Sequence, residues 1–339
     1  MNNIFVYCEI EDNAIADVSL ELLTKAKSLA NQLKCKVEAI LLGAGLNGIE
    51  NEVFKFGADI VHLGDDKRLY PYLTLPHTSI IKAVFEKEKP QIALFGASSI
   101  GRDLAPRIAS ALKCGLTADC TSLEIGEHYD KKTDTKYENL LLQIRPAFGG
   151  NIIATIINPE TRPQLATVRE GVMKKEIFDE GHKGEVKKIK VDELIDDSDF
   201  AVSIIERHIE NKKVNIKNAG IIIAGGYGVG SRENFRLLFE LADVLGAEVG
   251  GSRAAVDAGF IDHERQIGQT GVTVRPKLYI ACGISGQVQH RAGMDESAMV
   301  ISINTDPQAP INKIADYVIT GDVAEILPKM IKYYKKNSK

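Results

Sequence analysis

Several groups of small and polar residues in the last third of the chain have the types and spacing to hold a ligand. Gly225-Gly226-Tyr227-Gly228-Val229-Gly230-Ser231 follows the apolar run AGIIIAGG (219–226) and precedes a helical stretch. A turn of that kind lets backbone approach a ligand closely and leaves helix N–H groups free for a phosphate. Its spacing is GxGxG, not the dinucleotide GxGxxG, and tight strand–helix packing accounts for the glycines equally well. In GGSRAAVDAG (250–259), small residues flank Ser252 and Arg253. An Arg there is either a permanent cation held against a ligand or a surface ion-pair partner. Gln266-Ile267-Gly268-Gln269-Thr270-Gly271 offers two amides and one hydroxyl but no acid or base, an inventory suited to a neutral polar ligand.

Farther on, Ile280-Ala281-Cys282-Gly283-Ile284-Ser285-Gly286-Gln287-Val288-Gln289-His290 reads as a buried strand followed by a helix that starts near Ser285. Ser285 would cap that helix, and its first free amides would point above the carboxyl edge of a sheet. His290 falls just past the first turn. A lone His is more often structural, but its company with Ser285, Gln289 and Arg253 points to a site. Asn304, in Ile303-Asn304-Thr305-Asp306, and Asp322, in Gly321-Asp322, stand at two further strand ends, where a ribose or an adenine edge is commonly read. The chain has no GxxxxGK[ST], HExxH or GxSxG motif, and no Cys–His pairing stands out. The pattern is that of a cradle for a large anionic cofactor, without proton-transfer or nucleophilic apparatus.

The elements that must position these groups follow from periodicity. Residues 4–10 and 60–64 read as strands, and VEAILLG (37–43) and QIALFGA (91–97) as buried strands, the first a continuous apolar run typical of a strand covered on both faces. Between them, helices are predicted at 18–33, 47–56, 78–88 and 102–112. Such alternation implies a parallel sheet flanked by helices. After Thr117 the runs TADCTSLEI, ENLLLQIRPAF, NIIATIINP and PQLATVR suggest antiparallel strands, with GEHYDKKTDTKY (126–137) as an exposed hairpin tip. The charged stretch 174–199 reads as a connecting arm. A second α/β unit opens near Val214, with strands at 219–226, 277–286, 298–304 and 315–322, helices at 234–245 and 323–334, and a frayed tail from Lys335. The expected fold is thus α/β in two domains, 1–200 and 201–339, each with a mostly parallel sheet.

Composition limits the partners. The net charge is −4, which gives no electrostatic case for nucleic acid or an anionic membrane. No apolar run reaches the roughly 20 residues of a membrane span. The N-terminus lacks a secretory or transit pattern, and the five cysteines form no CxxC pair, so reduced thiols in a cytoplasmic protein are expected, with no metal site. Of the 29 glycines, fifteen lie between Gly220 and Gly321, which marks the later unit as the one where backbone must be bare.

Taken together, SRAAVDAG (252–259), GQTG (268–271), LYIACGISGQVQHRAGM (278–294), INTDPQAPI (303–311) and ADYVITGD (315–322) resemble the alpha subunit of electron transfer flavoproteins. GRDLAPRIASAL (101–112), GLTADC (115–120) and RPAFGGN (145–151) are similar to that family's first domain. The resemblance implies a Rossmann-like FAD-binding C-terminal domain, a beta subunit as partner, and electron passage between a flavin or nicotinamide donor and an acyl-CoA dehydrogenase-type acceptor. It leaves open an electron-bifurcating role with NADH and ferredoxin. It places Gly226, Tyr227, Gly228, Ser252, Arg253, Ile267, Gly268, Gln269, Thr270, Ser285, Gly286, Gln287, Val288, Gln289, His290, Asn304 and Asp322 around FAD. Arg253, Thr270 and His290 would tune the flavin, with positive potential where the reduced ring gathers charge. In this chain Tyr227 and Val272 depart from the family pattern, which carries Arg and Lys there. Two other readings fit less well: a self-sufficient NAD(P)-dependent oxidoreductase, for which the glycine spacing is wrong, and a non-catalytic nucleotide-binding protein, which leaves the Arg253–Thr270–His290 set without a use.

Overall fold

A computed structural model describes residues 2–11, 14–147, 152–206, 216–217 and 219–337. The four last residues of the RPAFGGN motif and the predicted opening of the second unit at Val214 lie outside them. The described residues fall into two compact units, 2–206 and 216–337.

In the first unit β1 (Ile4–Cys8) and β4 (Val37–Gly43) are buried at every residue, as their unbroken apolar runs require of central parallel strands. Between them, after a short β2 (Ile10–Glu11)–β3 (Ala14–Ile15) hairpin, α1 (Asp17–Leu33) lays Leu22, Leu23, Ala26, Leu29, Ala30 and Leu33 against the sheet. It ends at Lys34 in the left-handed conformation, φ 54°. Then come α2 (Glu50–Lys55), β5 (Ile60–Asp65), α3 (Thr74–Glu88), β6 (Ile92–Gly96), α4 (Ser99–Leu112) and β7 (Leu116–Cys120). β8 (Ser122–Asp130), β9 (Thr135–Ala147) and β10 (Ile152–Ile156) form a separate antiparallel sheet, and the charged hairpin tip lies between β8 and β9. β11 (Gln164–Val168) and β12 (Glu185–Lys188) complete a seven-stranded sheet in the order β12-β5-β4-β1-β6-β11-β7, with every pair parallel.

Two expectations are corrected here. PQLATVR and the first part of TADCTSLEI are not antiparallel: β11 lies parallel between β6 and β7 and is buried throughout. The charged stretch 174–199 is more than an arm. Its residues 185–188 pair with β5 at the sheet's edge, and Val191 enters the core beneath. A solvent-facing edge strand can be polar, which is why charge hid it.

The second unit is a five-stranded parallel sheet in the order β14-β13-β15-β16-β17. Its strands are β13 (Ile221–Gly225), β14 (Glu248–Gly251), β15 (Leu278–Cys282), β16 (Val300–Asn304) and β17 (Tyr317–Thr320). α5 (Arg232–Leu245), capped by Ser231, packs with α8 (Val323–Asn337) over one face through Phe235, Leu238, Leu241, Leu327 and Ile331. α8 runs through the residues expected to fray, as far as Asn337. Two short helices, α6 (Arg253–Asp257) and α7 (Val288–Arg291), sit in the loops after β14 and β15. Among the described residues no helix is long and apolar enough to cross a membrane.

Candidate functional site

Because the strands of the second sheet are parallel, all their carboxyl ends open on one edge. The chain leaves β13 for β14 on one side, then returns past β13 to build β15, β16 and β17 on the other. The order therefore reverses between β13 and β15, the place where open α/β sheets take their ligands. The two loops there touch backbone to backbone. Gly226 N–H donates to the Cys282 carbonyl at 2.8 Å, and Gly228 N–H donates to the Gly283 carbonyl at 3.0 Å. A Cβ on Gly228 would stand 2.8 Å from that same carbonyl oxygen, and one on Gly283 would stand 2.7 Å from the carbonyl carbon of Gly228. Bare backbone is thus a condition of the crevice, not a mark of looseness.

Around this crevice the predicted residues gather on the loops after each strand. After β14, Ser252 Oγ accepts from Ala255 N–H and starts α6, while Ser252 N–H holds the Gly225 carbonyl at 2.9 Å. Arg253 is exposed, with the Asp257 carboxylate 3.5 Å from its Nε. The stretch 266–271 folds back on itself: Gln266 Nε2 donates to Thr270 Oγ1 at 3.0 Å. It is also fastened to the β15 loop, since Gln269 N–H donates to the Gln289 carbonyl at 2.7 Å. Ile267 and Gly268 are buried, Gln269 half-buried and Thr270 exposed. On the β15 loop Ser285, Gln287 and Gln289 are exposed, Val288 is half-buried, and Gly286 is buried against the backbone of Ile311.

The helix expected to begin at Ser285 does not begin there. Gly283 at φ 60° and Gly286 at φ 85° hold the chain in a loop that other residues would resist. α7 starts only at Val288, after Gln287, and is four residues long. Ser285 is therefore an exposed loop hydroxyl and not a cap.

His290 is also corrected, in its charge. The ring is buried, with Nδ1 at 3.1 Å from the Ile267 carbonyl and Nε2 at 2.9 Å from the Tyr279 hydroxyl. A carbonyl only accepts, so Nδ1 carries the proton, and Nε2 then accepts from Tyr279 O–H. Burial pushes the imidazole down to about 4, against a small upward pull from the Ile267 carbonyl and Asp295. His290 is thus a neutral pin between β15 and the 266–271 loop, not an imidazolium. Its folded pKa is depressed, so its contribution to stability is present above the unfolded value near 6.5 and is lost as pH falls through about 4. Over that window the wild type is expected to lose up to about 3 kcal/mol more than His290→Gln. Denaturant melts at a series of pH values check this, and parallel slopes for the two proteins would count against it.

Asn304 is nearly buried and spends both ends of its amide inside the chain. Its Nδ2 donates to the Ile284 carbonyl at 2.9 Å, and its Oδ1 accepts from Asp306 N–H at 3.0 Å. Asp322 is exposed and accepts from Ala324 N–H at the start of α8. Tyr227, also exposed, lays its ring against Phe260, with centroids 5.9 Å apart and planes at 21°. Val272 packs at the edge of the core and bridges to Ile267. Two functional positions escaped the site reading. Tyr279 fixes the His290 tautomer, and Gly283 supplies the closest backbone. Tyr279 lies in the apolar run of β15, where a buried aromatic signals only core, whereas Gly283 was visible as the glycine ending that run.

Comparison with known proteins bears on both units. Residues 4–194 match the family profile described as Electron transfer flavoprotein domain, and residues 215–295 match the Electron transfer flavoprotein FAD-binding domain. An "Electron transfer flavoprotein subunit alpha" from Thermoanaerobacterium thermosaccharolyticum is 47% identical over 335 residues, covering 98% of both chains. A "Protein FixB" from Clostridium saccharobutylicum is 48% identical over 98% of this chain and 96% of its own length. An "Acryloyl-CoA reductase electron transfer subunit beta" from Anaerotignum propionicum is 39% identical over 98% of this chain and 96% of its own.

Proposed function

The chain belongs to the electron transfer flavoprotein family as an alpha subunit, and from that premise we propose that FAD lies across the β13–β15 crevice while the chain works as half of a heterodimer with a beta subunit. FAD is the cofactor of the matched domain. The residues fit it. Gly226, Gly228 and Gly283 bring the β13 and β15 loops so close that no side chain can stand between them, which leaves a main-chain wall at the sheet's reversal point for a large ligand to lie against. The observation that carries the reading is this cradle at the sheet's reversal point, together with the polar loops around it.

When bound, FAD supplies the redox chemistry, and the protein supplies position and electrostatics. Gly226 and Gly228, with the ring of Tyr227 at their rim, form one wall. Ser285, Gly286, Gln287, Val288 and Gln289 form the wall opposite. Ser252 and Arg253 stand at the β14 end, where the guanidinium offers a permanent positive charge moderated by Asp257. Ile267, Gly268, Gln269 and Thr270 present an apolar floor with amide and hydroxyl donors. His290 holds that floor to the β15 loop, and Asn304 fastens the same loop from β16. Asp322 lies at the far strand end, in reach of the nucleotide half. None of these groups needs to move a proton for an electron to pass.

For partners we propose a beta subunit and an acyl-CoA dehydrogenase-type flavoenzyme, supported by a relative named for acryloyl-CoA reductase. A bifurcating form would add NADH and ferredoxin. Cytoplasmic location accompanies the proposal. The test is to purify the chain with its beta subunit, count the flavin, and offer electrons from the dehydrogenase. A yellow heterodimer with one FAD that is reduced by the dehydrogenase is the expected result. Two FAD per heterodimer, with the electrons of NADH divided between ferredoxin and the dehydrogenase and neither acceptor omitted, would establish the bifurcating form. A colourless heterodimer overturns the proposal.

A further inference from the structure

Gln266 stands where the chain enters the 266–271 loop, and it is 4% exposed. Its backbone is fixed on three sides. The N–H donates to the His263 carbonyl at 3.0 Å, the carbonyl accepts from Val272 N–H at 2.7 Å, and a β-bridge pairs the residue with Gly251 at the end of β14. Gly271 passes so near that a Cβ there would collide with the Gln266 carbonyl. Gly271 N–H donates to the Gly268 carbonyl at 3.0 Å, and a second bridge joins Ile267 to Val272. The loop is thus a closed turn with little room to reshape, and Thr270 stands exposed at its tip. Gln269 N–H fastens that tip to the β15 loop, beside the crevice.

A buried amide is costly unless it is hydrogen-bonded, and the bond that Gln266 makes is specific. Its Nε2 donates to Thr270 Oγ1 at 3.0 Å. A threonine hydroxyl has one proton and two lone pairs. One lone pair of Thr270 receives the amide proton, so the hydroxyl proton must point away from that nitrogen. Two carbonyls of the same loop, those of Gln266 and Gly268, already accept from Val272 and Gly271. Among the described residues Thr270 Oγ1 donates to none. Gln266 therefore leaves at the tip of the loop a hydroxyl with a fixed direction and a free proton.

We propose that Gln266 is a positioning residue: it orients the Thr270 hydroxyl as a hydrogen-bond donor aimed into the crevice, where it favours the reduced form of the bound flavin. The inference rests on FAD lying across the β13–β15 crevice. Reduction adds electron density to the ring, and a donor already in place stabilises that form more than the oxidised one, with no reorganisation when the electron arrives.

The experiment measures the flavin midpoint potential in the heterodimer, by redox titration of its visible absorbance. Gln266→Met keeps the length and removes the donor. It is expected to weaken the preference for the reduced form by up to about tenfold, which is about 59 mV for one electron. Gln266→Glu should lower the potential further, because a carboxylate accepts the Thr270 proton and draws it out of the crevice. In a Thr270→Val background Gln266→Met should shift nothing, and Gln266→Glu should keep only the part due to its charge. A yellow Gln266→Met heterodimer with the wild-type potential overturns the proposal. So does a shift of equal size with and without the Thr270 hydroxyl, which would mean that Gln266 acts through packing. Should the Gln266 variants fail to hold flavin, position 270 decides: Thr270→Ser is expected to keep the wild-type potential and Thr270→Val to lower it, and a Thr270→Val protein at the wild-type potential overturns the proposal. A colourless wild-type heterodimer overturns the placement of FAD and this inference with it, whereas a yellow wild type with insensitive variants overturns the inference alone.

Discussion

Gly226→Ala is expected to yield a protein that cannot keep its flavin. The new methyl would fall on the carbonyl oxygen of Gly283 and stand 2.7 Å from both the Gly283 carbonyl carbon and the Ile284 Cα, where ordinary contact begins near 3.4 Å. Those atoms are backbone, so no rotamer change relieves them. Gly226 itself has extended φ and ψ, −98° and −178°, that alanine adopts freely, which makes the effect one of space alone. The β13 and β15 loops would have to part, breaking the Gly226–Cys282 and Gly228–Gly283 hydrogen bonds that shape the crevice. A loss of at least about 100-fold in flavin affinity corresponds to about 2.7 kcal/mol, in reach of two disrupted backbone bonds and a displaced wall. Visible absorbance per mole of purified protein reads it directly. A variant as yellow as the wild type, with the same flavin off-rate, would show that the cofactor does not lie across this crevice.

Phe235→Ala should be the most damaging single truncation in the second unit, at about 3–5 kcal/mol. Phe235 is 1% exposed, on the buried side of α5. Its ring lies so close beneath Gly225 that a Cβ there would collide with it, and Phe260 flanks it at 5.9 Å between centroids. The ring therefore supports the end of β13 from below, at the point where the glycine turn begins. Removing it leaves a cavity under a strand end that parallel neighbours hold on both sides and that cannot easily collapse. Urea unfolding followed by flavin fluorescence is expected to show the release transition at markedly lower denaturant. A shift worth less than about 1 kcal/mol would mean that the site can collapse around the gap.

Where a strand is buried on both faces, or a helix has one continuous apolar stripe, residue pattern and structure coincide. VEAILLG is β4 residue for residue, and the stripe from Val18 to Leu33 is α1 but for its first residue. The strand-end position of nearly every site residue followed from the same logic, because parallel strands share a carboxyl edge. Direction was not legible. PQLATVR has the composition of any short buried strand, and nothing within its own residues tells whether its neighbour runs with it or against it. Two edge strands were also hidden, β12 by its lysines and β14 by glycines that a strand seldom carries. At the site, the type of His290 was visible but its charge was not. Charge depends on Tyr279, eleven residues upstream and on another element, and on how deep the ring lies. Ser285 shows the same limit in reverse: a good capping residue placed between two glycines whose backbone keeps the helix from starting.

The pinning of the 266–271 loop to the β15 loop has a consequence for speed. Gln269 and His290 tie the two loops by a backbone bond and a neutral ring, and Asn304 ties the second loop to β16. A pocket wall assembled in this way has little freedom to shift when charge arrives beside it. What delays an electron's passage between two centres is the rearrangement its surroundings must make, and dipoles already fixed in place have little left to rearrange. The buried, uncharged His290 thus serves a carrier better than a titrating one would: it lends the loop stiffness without adding a proton that would have to follow the electron.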